Sequence, residues 1–235
     1  MLWWRGEERR YEAIVCDGAI RSGKTFAMTL GFFLWAMSEF SGRRFALCGK
    51  TAQAVERNIL ADTLPVLRGV GMRIERMDAG RTLRVRFGGA DNVFLVFGGC
   101  DERAAALIQG VTLAGALLDE VALMPRSFVE QACARCSVEG SRLWFRCNPE
   151  GPQHWFYRQW ILRAEEMNCL HLHFTMEDNP ALPAQIRRRY ARMYAGTFYR
   201  RYVQGLWAAA DWRVYDFYDT QRARPAPCGP WEDVW

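Results

Sequence analysis

The chain has 235 residues, a length that can bury one α/β core together with a small appendage. Half of the residues are hydrophobic, which excludes an intrinsically disordered protein. The formal net charge of +5 suits an anionic partner such as nucleic acid, but an ordinary, mildly basic globular protein has the same balance.

The N-terminal residues do not have the pattern of a signal peptide, because Arg5, Glu7 and Arg9 interrupt any apolar segment. The longest apolar stretch, from Phe26 to Met37, contains a threonine and is shorter than the roughly 18 residues that a membrane span needs. We therefore expect a cytoplasmic protein that is not associated with a membrane.

Cysteine usage favours reduced thiols in the cytosol. Four of the eight cysteines lie in or beside predicted strands, where a thiol packs as a small hydrophobe: Cys16, Cys48, Cys100 and Cys147. The pair Cys133 and Cys136 has no second Cys-x-x-Cys partner, and we expect His171 and His173 to point to opposite faces of a strand. A zinc site is therefore not favoured.

The first predicted strand, Ala13–Cys16, leads into a glycine-rich loop and then a long apolar helix. The loop is Gly18-Ala19-Ile20-Arg21-Ser22-Gly23-Lys24-Thr25. Such a backbone curls until several N–H groups point at one phosphate, and the helix adds the positive end of its dipole. Lys24 would then neutralise the β and γ phosphates of a nucleotide, and the Thr25 hydroxyl would ligate Mg²⁺. A chance match to the pattern is the weaker interpretation.

Strands and helices then alternate, which predicts a doubly wound, mostly parallel sheet with helices on both faces. The remaining predicted strands are Arg44–Cys48, Leu113–Leu118, Arg142–Cys147 and Cys169–Phe174. An inserted hairpin is expected at the sheet edge, with Leu83, Val85 and Phe87 on one face of its first strand and with its second strand at Asn92–Phe97.

Two adjacent carboxylates, Asp119 and Glu120, follow the strand Leu113–Leu118. Such a pair points to opposite sides of a strand unless the strand ends there, so it belongs at the carboxyl-terminal edge of the sheet. There Asp119 would hold Mg²⁺ through water, and Glu120 would orient and deprotonate the attacking water. The alternative is a helix start whose first turn carries two acids.

After Asn179-Pro180 the sequence becomes basic and aromatic, and helices are predicted at Gln185–Tyr194 and Thr197–Gln204. We expect a helical subdomain packed on the sheet. Its arginines would face either duplex DNA or, as the preferred interpretation, solvent and the core: Arg187, Arg188, Arg189, Arg192, Arg200 and Arg201. The last residues, 222–235, are rich in proline and are typical of a linker or a frayed tail.

Further motifs accompany the loop and the acidic pair in a fixed order. They are Gly49-Lys50-Thr51 with Arg57-Asn58, Gln109-Gly110 ahead of Asp119, Cys147-Asn148-Pro149 with His154-Trp155, Asp178-Asn179-Pro180, and Tyr199-Arg200-Arg201 with Gly205-Leu206-Trp207. In this order they resemble the large subunit of tailed-phage terminases, the ATPase that packages viral DNA. The resemblance extends from about Gly18 to about Tyr218, most of the chain.

The resemblance implies a RecA-like, additional-strand P-loop ATPase core at residues 1–178. A helical linker subdomain would follow at residues 179–210, and a tail or the start of a missing nuclease domain at residues 211–235. The implied cofactors are ATP and Mg²⁺. The implied role is a motor whose subunits form a homo-oligomeric ring on the portal protein and translocate double-stranded DNA into a capsid, together with the terminase small subunit, in the host cytoplasm.

The resemblance also suggests catalytic residues. Asn148 would belong to the coupling motif and sense the γ-phosphate, whereas the alternative is a turn residue before Pro149. Arg21 would act as an arginine finger supplied in cis, or would face solvent or DNA. Arg135 and Arg142 are candidates for a finger that a neighbouring subunit supplies.

Two features depart from the family pattern. No glutamine precedes Gly18 as an adenine contact, so Trp3, Trp4 or Tyr11 would stack on the base, unless the tryptophan-rich end plugs the core. The family's nuclease half has clustered carboxylates on strands, whereas the last residues here carry scattered acids: Asp211, Asp216, Asp219, Glu232 and Asp233. We therefore expect ATP hydrolysis without DNA cleavage. The alternatives are another RecA-like or helicase-type ATPase, and a truncated nucleotide-binding relic without motor activity.

Overall fold

A computed structural model describes residues 2–209, so the tail predicted at residues 211–235 lies outside the described part. Eight strands form one sheet: β1 Ala13–Gly18, β2 Arg44–Gly49, β3 Arg73–Met77, β4 Thr82–Phe87, β5 Ala90–Gly98, β6 Gly115–Asp119, β7 Arg142–Arg146 and β8 Cys169–Phe174. Their order is β3-β4-β5-β2-β6-β7-β1-β8. Six neighbouring strands of this order, β5-β2-β6-β7-β1-β8, pair in parallel. The strands β3 and β4 extend the sheet at the β5 side with antiparallel pairing.

Helices cover both faces of the sheet. The α-helices are α1 Lys24–Glu39, α2 Ala52–Val55, α3 Ala61–Gly69, α4 Arg126–Arg135, α5 Ala184–Met193 and α6 Gly196–Phe198. A π-helical turn, Glu56–Leu60, joins α2 to α3, and two more lie at Tyr157–Ile161 and Tyr199–Val203. Short 3₁₀ helices include Trp3–Arg5, Glu7–Arg10, Glu102–Ile108, Val121–Leu123 and Met176–Asp178.

Alternate residues of the central strands enter two separate apolar cores, as period-two strands buried on both faces require. On one face Ile14 and Leu47 pack with Phe32 of α1 and Leu64 of α3. The other face has a second core, in which alternate strand residues pack with α4, the helix Glu102–Ile108 and the turn Tyr157–Ile161. The loops that follow these strands therefore begin from strands that are buried on both faces.

The N-terminal tryptophans belong to the first of these cores. Trp3 and Trp4 are buried, and their rings lie 5.3 and 5.7 Å from that of Trp144 in the middle of β7. The interpretation as a core plug is therefore correct, and the adenine-stacking alternative for these two residues is wrong.

The five predicted strands correspond to β1, β2, β6, β7 and β8 within two residues at each end, and the predicted hairpin is also present as β4 and β5. The strand β3 was not predicted. It reads Arg-Ile-Glu-Arg-Met and is largely exposed at the sheet edge, so its sequence has almost no apolar alternation. Phe87 is exposed, unlike Leu83 and Val85, because it is the last residue of β4.

Two other expectations differ from the structure. Cys100 is exposed and follows β5 in a loop, whereas Cys16, Cys48 and Cys147 are buried as expected. The helix α5 has no buried residue and does not lie on the sheet. The residue that follows it, Tyr194, packs on Tyr202 of the turn Tyr199–Val203, with ring centroids 5.9 Å apart. Within residues 2–209, no helix is long and apolar enough to cross a bilayer.

Gly115, the first residue of β6, provides a test of core packing. A Cβ atom there would lie 2.6 Å from Cη2 of the buried Trp35 and 3.0 Å from the carbonyl oxygen of Arg142. We expect Gly115→Ala to lower the free energy of unfolding by about 1–3 kcal/mol, because the indole has no room to move. Urea denaturation measures the change.

The matched control is Gly69→Ala at the end of α3, where a Cβ atom would meet nothing within 4 Å. Since alanine favours a helix over glycine, this variant should be unchanged or stabilised by up to about 1 kcal/mol. Equal stability of the two variants would contradict the packing argument.

Candidate active site

The carboxyl ends of β1, β6 and β7 meet at one edge of the sheet and border a cleft of about 520 Å³. Six residues of the glycine-rich loop, from Ile20 to Thr25, line this cleft together with Glu120. Side chains from the π-helical turn Glu56–Leu60 and the start of α3 form another wall: Arg57, Asn58, Asp62 and Thr63. The structure therefore brings the two predicted motifs to one site.

The glycine-rich loop contacts the backbone of two other segments, at Phe174 and Tyr202. Gly18 has a φ of 122°, and a Cβ atom there would lie on the carbonyl oxygen of Phe174, so only glycine fits. The N–H groups of Ala19 and Ile20 donate to the carbonyl oxygens of Phe174 and Tyr202. These two N–H groups are therefore already paired within the protein, whereas those of the first turn of α1 have no intrahelical partner.

Lys24 is buried at the start of α1, with 3% of its surface exposed. Its Nζ donates to the carbonyl oxygen of Gly18 at 3.0 Å, to Oγ of Ser22 at 3.1 Å and to Oδ1 of Asn148 at 3.3 Å. Burial, and next the positive charge of Arg146, lowers the pKa of Lys24 to about 7. An anion in the cleft would favour the charged form of this lysine.

The acidic pair ends a strand, as predicted, and does not begin an α-helix. Asp119 is the last residue of β6 and is buried, and Glu120 has a left-handed backbone with a φ of 57°. A 3₁₀ turn, Val121–Leu123, follows. The bend at Glu120 lets two consecutive carboxylates reach the same edge of the sheet.

Arg146 connects this pair to β7 and was not identified from the sequence. It is the register partner of Asp119, and its Nη1 lies 2.8 Å from Oδ1 of Asp119 and 3.9 Å from Oε1 of Glu120. Both side chains of the shorter pair are almost fully buried. A signal for this residue was available, since an arginine that directly follows the apolar residues Leu143 to Phe145, two positions before Asn148, requires a partner.

Comparisons with known proteins settle the family. A family model described as "terminase large subunit, T4likevirus-type, N-terminal" matches residues 15–222. The chain belongs to this terminase family. A structure of the large terminase from a thermophilic bacteriophage is 48% identical to it, with a TM-score of 0.86 over 93% of this chain and 54% of that chain. The present chain therefore spans about half the length of that terminase.

The same thermophilic phage terminase has also been solved with ADP and with ATP-γ-S. These complexes are each 46% identical to this chain, with TM-scores of 0.85 and 0.84. They cover 93% and 94% of this chain and 54% of theirs. The comparison with curated protein sequences finds no match.

The large terminase ATPase domain of Thermus phage P74-26 is 18% identical, with a TM-score of 0.65 over 83% of this chain and 89% of that domain. This likeness shows the fold alone. The predicted P-loop, RecA-like fold is confirmed, and β7 is the additional strand between β1 and β6.

The two arginines considered as fingers from a neighbouring subunit lie at the opposite edge of the terminase sheet. Arg142 opens β7, donates to the carbonyl oxygens of Tyr11 and Arg9, and lies over the ring of Trp3. Arg135 ends α4, and its carbonyl oxygen accepts from the N–H of Leu113, ahead of β6. Arg142 therefore holds the N-terminal segment against the core.

The expectation that His171 and His173 point to opposite faces of β8 is wrong. Residues two apart on a strand share a face, and both imidazoles contact Oδ1 of the buried Asp17 at 2.9 Å. Trp207 Nε1 donates to the other oxygen, Oδ2, at 2.6 Å. A carboxylate only accepts hydrogen bonds, so both imidazoles donate. Among residues 2–209, no group of three or more histidine, cysteine or acidic side chains is arranged to hold a metal.

The charge of Asp17 provides a prediction on stability. Burial alone raises the pKa of Asp17, but hydrogen bonds from His171, Trp207 and His173 bring that pKa below its ordinary value. A lowered pKa contributes stability above about pH 4, and this contribution is lost as the pH falls further. We expect Asp17→Asn to lose on the order of 3 kcal/mol at pH 7, and less as the pH falls below about 4.

Urea denaturation between pH 7 and pH 3 measures this difference, with the exposed Asp62→Asn as the control that should stay near the wild type throughout. A loss for Asp17→Asn that is independent of pH would show that shape, and not charge, is what the carboxylate supplies.

Proposed function

We propose that this chain is the ATP-hydrolysing motor part of a DNA-packaging terminase, with ATP and Mg²⁺ as its cofactors. The family and the nucleotide complexes of the thermophilic phage terminase support this proposal. The observation that carries it is a pair of polar contacts between the ends of neighbouring strands: Lys24, after β1, contacts Asn148, and Arg146 of β7 contacts Asp119 beside Glu120.

The residues present fit a nucleotide with a divalent ion. The first turn of α1, which begins at Lys24, has N–H groups without an intrahelical partner, and Thr25 offers a hydroxyl at the cleft. Asp119 offers a buried carboxylate at the end of β6. Hydroxyl and carboxylate oxygens are the ligands that Mg²⁺ accepts in such sites. We propose that Thr25 and Asp119 hold the ion, which would neutralise charge that develops on the phosphates.

Each remaining residue has one proposed role. Lys24 neutralises the phosphates. Glu120 orients the attacking water and accepts its proton, because its carboxylate lines the cleft without being fully buried. Asn148 senses the γ-phosphate through its contact with Lys24. Arg21 is exposed, has a φ of 58° and lines the cleft, so we retain it as the proposed finger in cis.

The nucleotide roles predict a separation of binding from turnover. We expect Lys24→Ala to weaken ATP binding at least about tenfold, because a charge-assisted contact to phosphate is lost. Glu120→Gln should bind ATP like the wild type but lower the rate of phosphate release about 10²- to 10⁴-fold, because only proton transfer is removed. Calorimetry gives the affinity, and steady-state phosphate release gives the rate.

The matched control is Glu165→Gln, an exposed glutamate that does not line the cleft and whose loss should change neither quantity. Hydrolysis by Glu120→Gln at the wild-type rate would assign the base to another residue. Failure of the wild type to bind ATP would overturn the proposed function itself.

We propose double-stranded DNA, the portal protein, the terminase small subunit and further copies of this chain as partners, in a homo-oligomeric ring in the host cytoplasm. The family and the positive net charge support these proposals. Stimulation of ATP hydrolysis by DNA distinguishes a motor from the nucleotide-binding relic.

The expectation that this chain does not cut DNA stays a prediction. The acidic residues considered for cleavage, from Asp211 onward, lie outside the described residues.

The DNA-binding role of α5 has a direct test. Arg188, Arg189 and Arg192 are exposed on this helix, and Arg187 is half-buried. If these arginines contact phosphates, the logarithm of DNA affinity falls linearly with the logarithm of salt concentration. Each phosphate contact that is removed makes this dependence less steep by about one unit of slope. We expect replacement of Arg187, Arg188 and Arg189 by Gln to leave the slope unchanged, because helix arginines commonly form a solvated face. A flatter slope would assign them to DNA.

A further inference from the structure

Residues 199–208, here called the strap, run directly behind the phosphate loop. The strap begins with the turn Tyr199–Val203 and contains Gly205 and Trp207. The carbonyl oxygen of Tyr202 accepts from the N–H of Ile20 at 3.0 Å, so the strap and the loop share a backbone hydrogen bond. This contact joins segments that are far apart in the sequence.

Gly205 brings the two backbones into van der Waals contact. Its φ is 74°, and a Cβ atom there would lie 2.7 Å from the nitrogen of Ala19 and 3.0 Å from Cα of Gly18. Glycine is required both by the backbone conformation and by the space available. The loop therefore cannot shift toward the strap unless the strap moves with it.

Asp17 fixes the next residues of the strap. Its side chain is 1% exposed and lies on β1 immediately before the loop, and its Oδ2 accepts the indole N–H of Trp207. The indole also stacks on Tyr157, with ring centroids 4.8 Å apart. His171 and His173 hold the other oxygen, so every hydrogen bond to this carboxylate comes from β8 or the strap among the described residues.

A separate ion pair ties the strap to the loop after β7. Arg201 Nη1 lies 3.0 Å from Oε2 of Glu150, and Arg201 Nε donates to the carbonyl oxygen of Ala208. Glu150 follows Asn148 by two positions, and Asn148 accepts from Lys24. The strap thus contacts both segments that would surround a γ-phosphate.

We propose that the strap is a nucleotide-responsive clamp on the phosphate loop, and that Asp17 and Trp207 are positioning residues for this loop. The clamp keeps the loop in the shape that receives phosphate, and a bound nucleotide in turn orders the strap. Thermodynamic reciprocity requires both effects to have the same magnitude. The inference rests on the proposed nucleotide function and assigns a task to the motif Gly205-Leu206-Trp207.

Hydrogen exchange on the wild-type chain is the first test. ADP should slow amide exchange in peptides that cover residues 17–25 and, in the same titration, in peptides that cover residues 199–208. Slower exchange in the loop alone would overturn the clamp while leaving the proposed function intact. No change in either segment, together with no ADP binding by calorimetry, would overturn the proposed function.

Trp207→Phe is the second test, because it keeps a ring on Tyr157 and removes the N–H that Asp17 accepts. We expect an ADP dissociation constant about tenfold higher, within the range of common coupling energies, and loss of the ADP-dependent slowing at residues 199–208. Asp17→Ala, which removes both acceptor oxygens, should give the same result. The control is Trp155→Phe, a half-buried tryptophan outside the strap whose substitution should leave affinity and exchange unchanged.

Thermal unfolding separates positioning from simple destabilisation. Under the proposal, Trp207→Phe remains folded at the assay temperature and still shows slower exchange at residues 17–25 on saturation with ADP. Wild-type ADP affinity in a folded Trp207→Phe protein, with the slowing at residues 199–208 retained, would overturn the role of Trp207. The wild-type exchange experiment decides the clamp itself even if both variants fail to fold.

Discussion

One strand, β7, lies between the strand that carries the phosphate loop and the strand that carries the acidic pair. Neighbouring strands are about 4.8 Å apart, so the ends of β1 and β6 are separated by about 10 Å. This separation accommodates a polyphosphate with its divalent ion. Because β1, β7 and β6 are parallel, all three present their carboxyl ends at the same edge, and the geometry of the site depends on this strand order.

The strand β7 and the residues just after it also provide partners for the buried charges of Asp119 and Lys24. Arg146 neutralises Asp119, and Asn148 accepts from Lys24, so neither buried charge is without a partner. Burial, and next the positive charge of Arg146, nevertheless lowers the pKa of Lys24. An anion bound beside Lys24 would favour the charged form of this lysine.

Local sequence signals were sufficient for the central strands, the phosphate loop and the acidic pair, because each combines an apolar run with turn chemistry at a fixed spacing. They were insufficient for β3, whose charged residues give no period-two pattern at a sheet edge. The contacts of Asp17 could not be predicted, since they join residues 154 to 190 positions apart. Arg146 was identifiable as unusual, but its partner depends on the register between β6 and β7, which only the folded sheet defines.

Glu120 holds its carboxylate at the cleft from a left-handed backbone. For a residue with a Cβ atom this conformation costs about 1–2 kcal/mol relative to glycine. A glycine at this position would therefore make the domain more stable while removing the group that we assign to water activation. Stability and the proposed catalytic role are opposed at this one residue, so engineering toward a higher melting temperature that ignores activity would select against the proposed base.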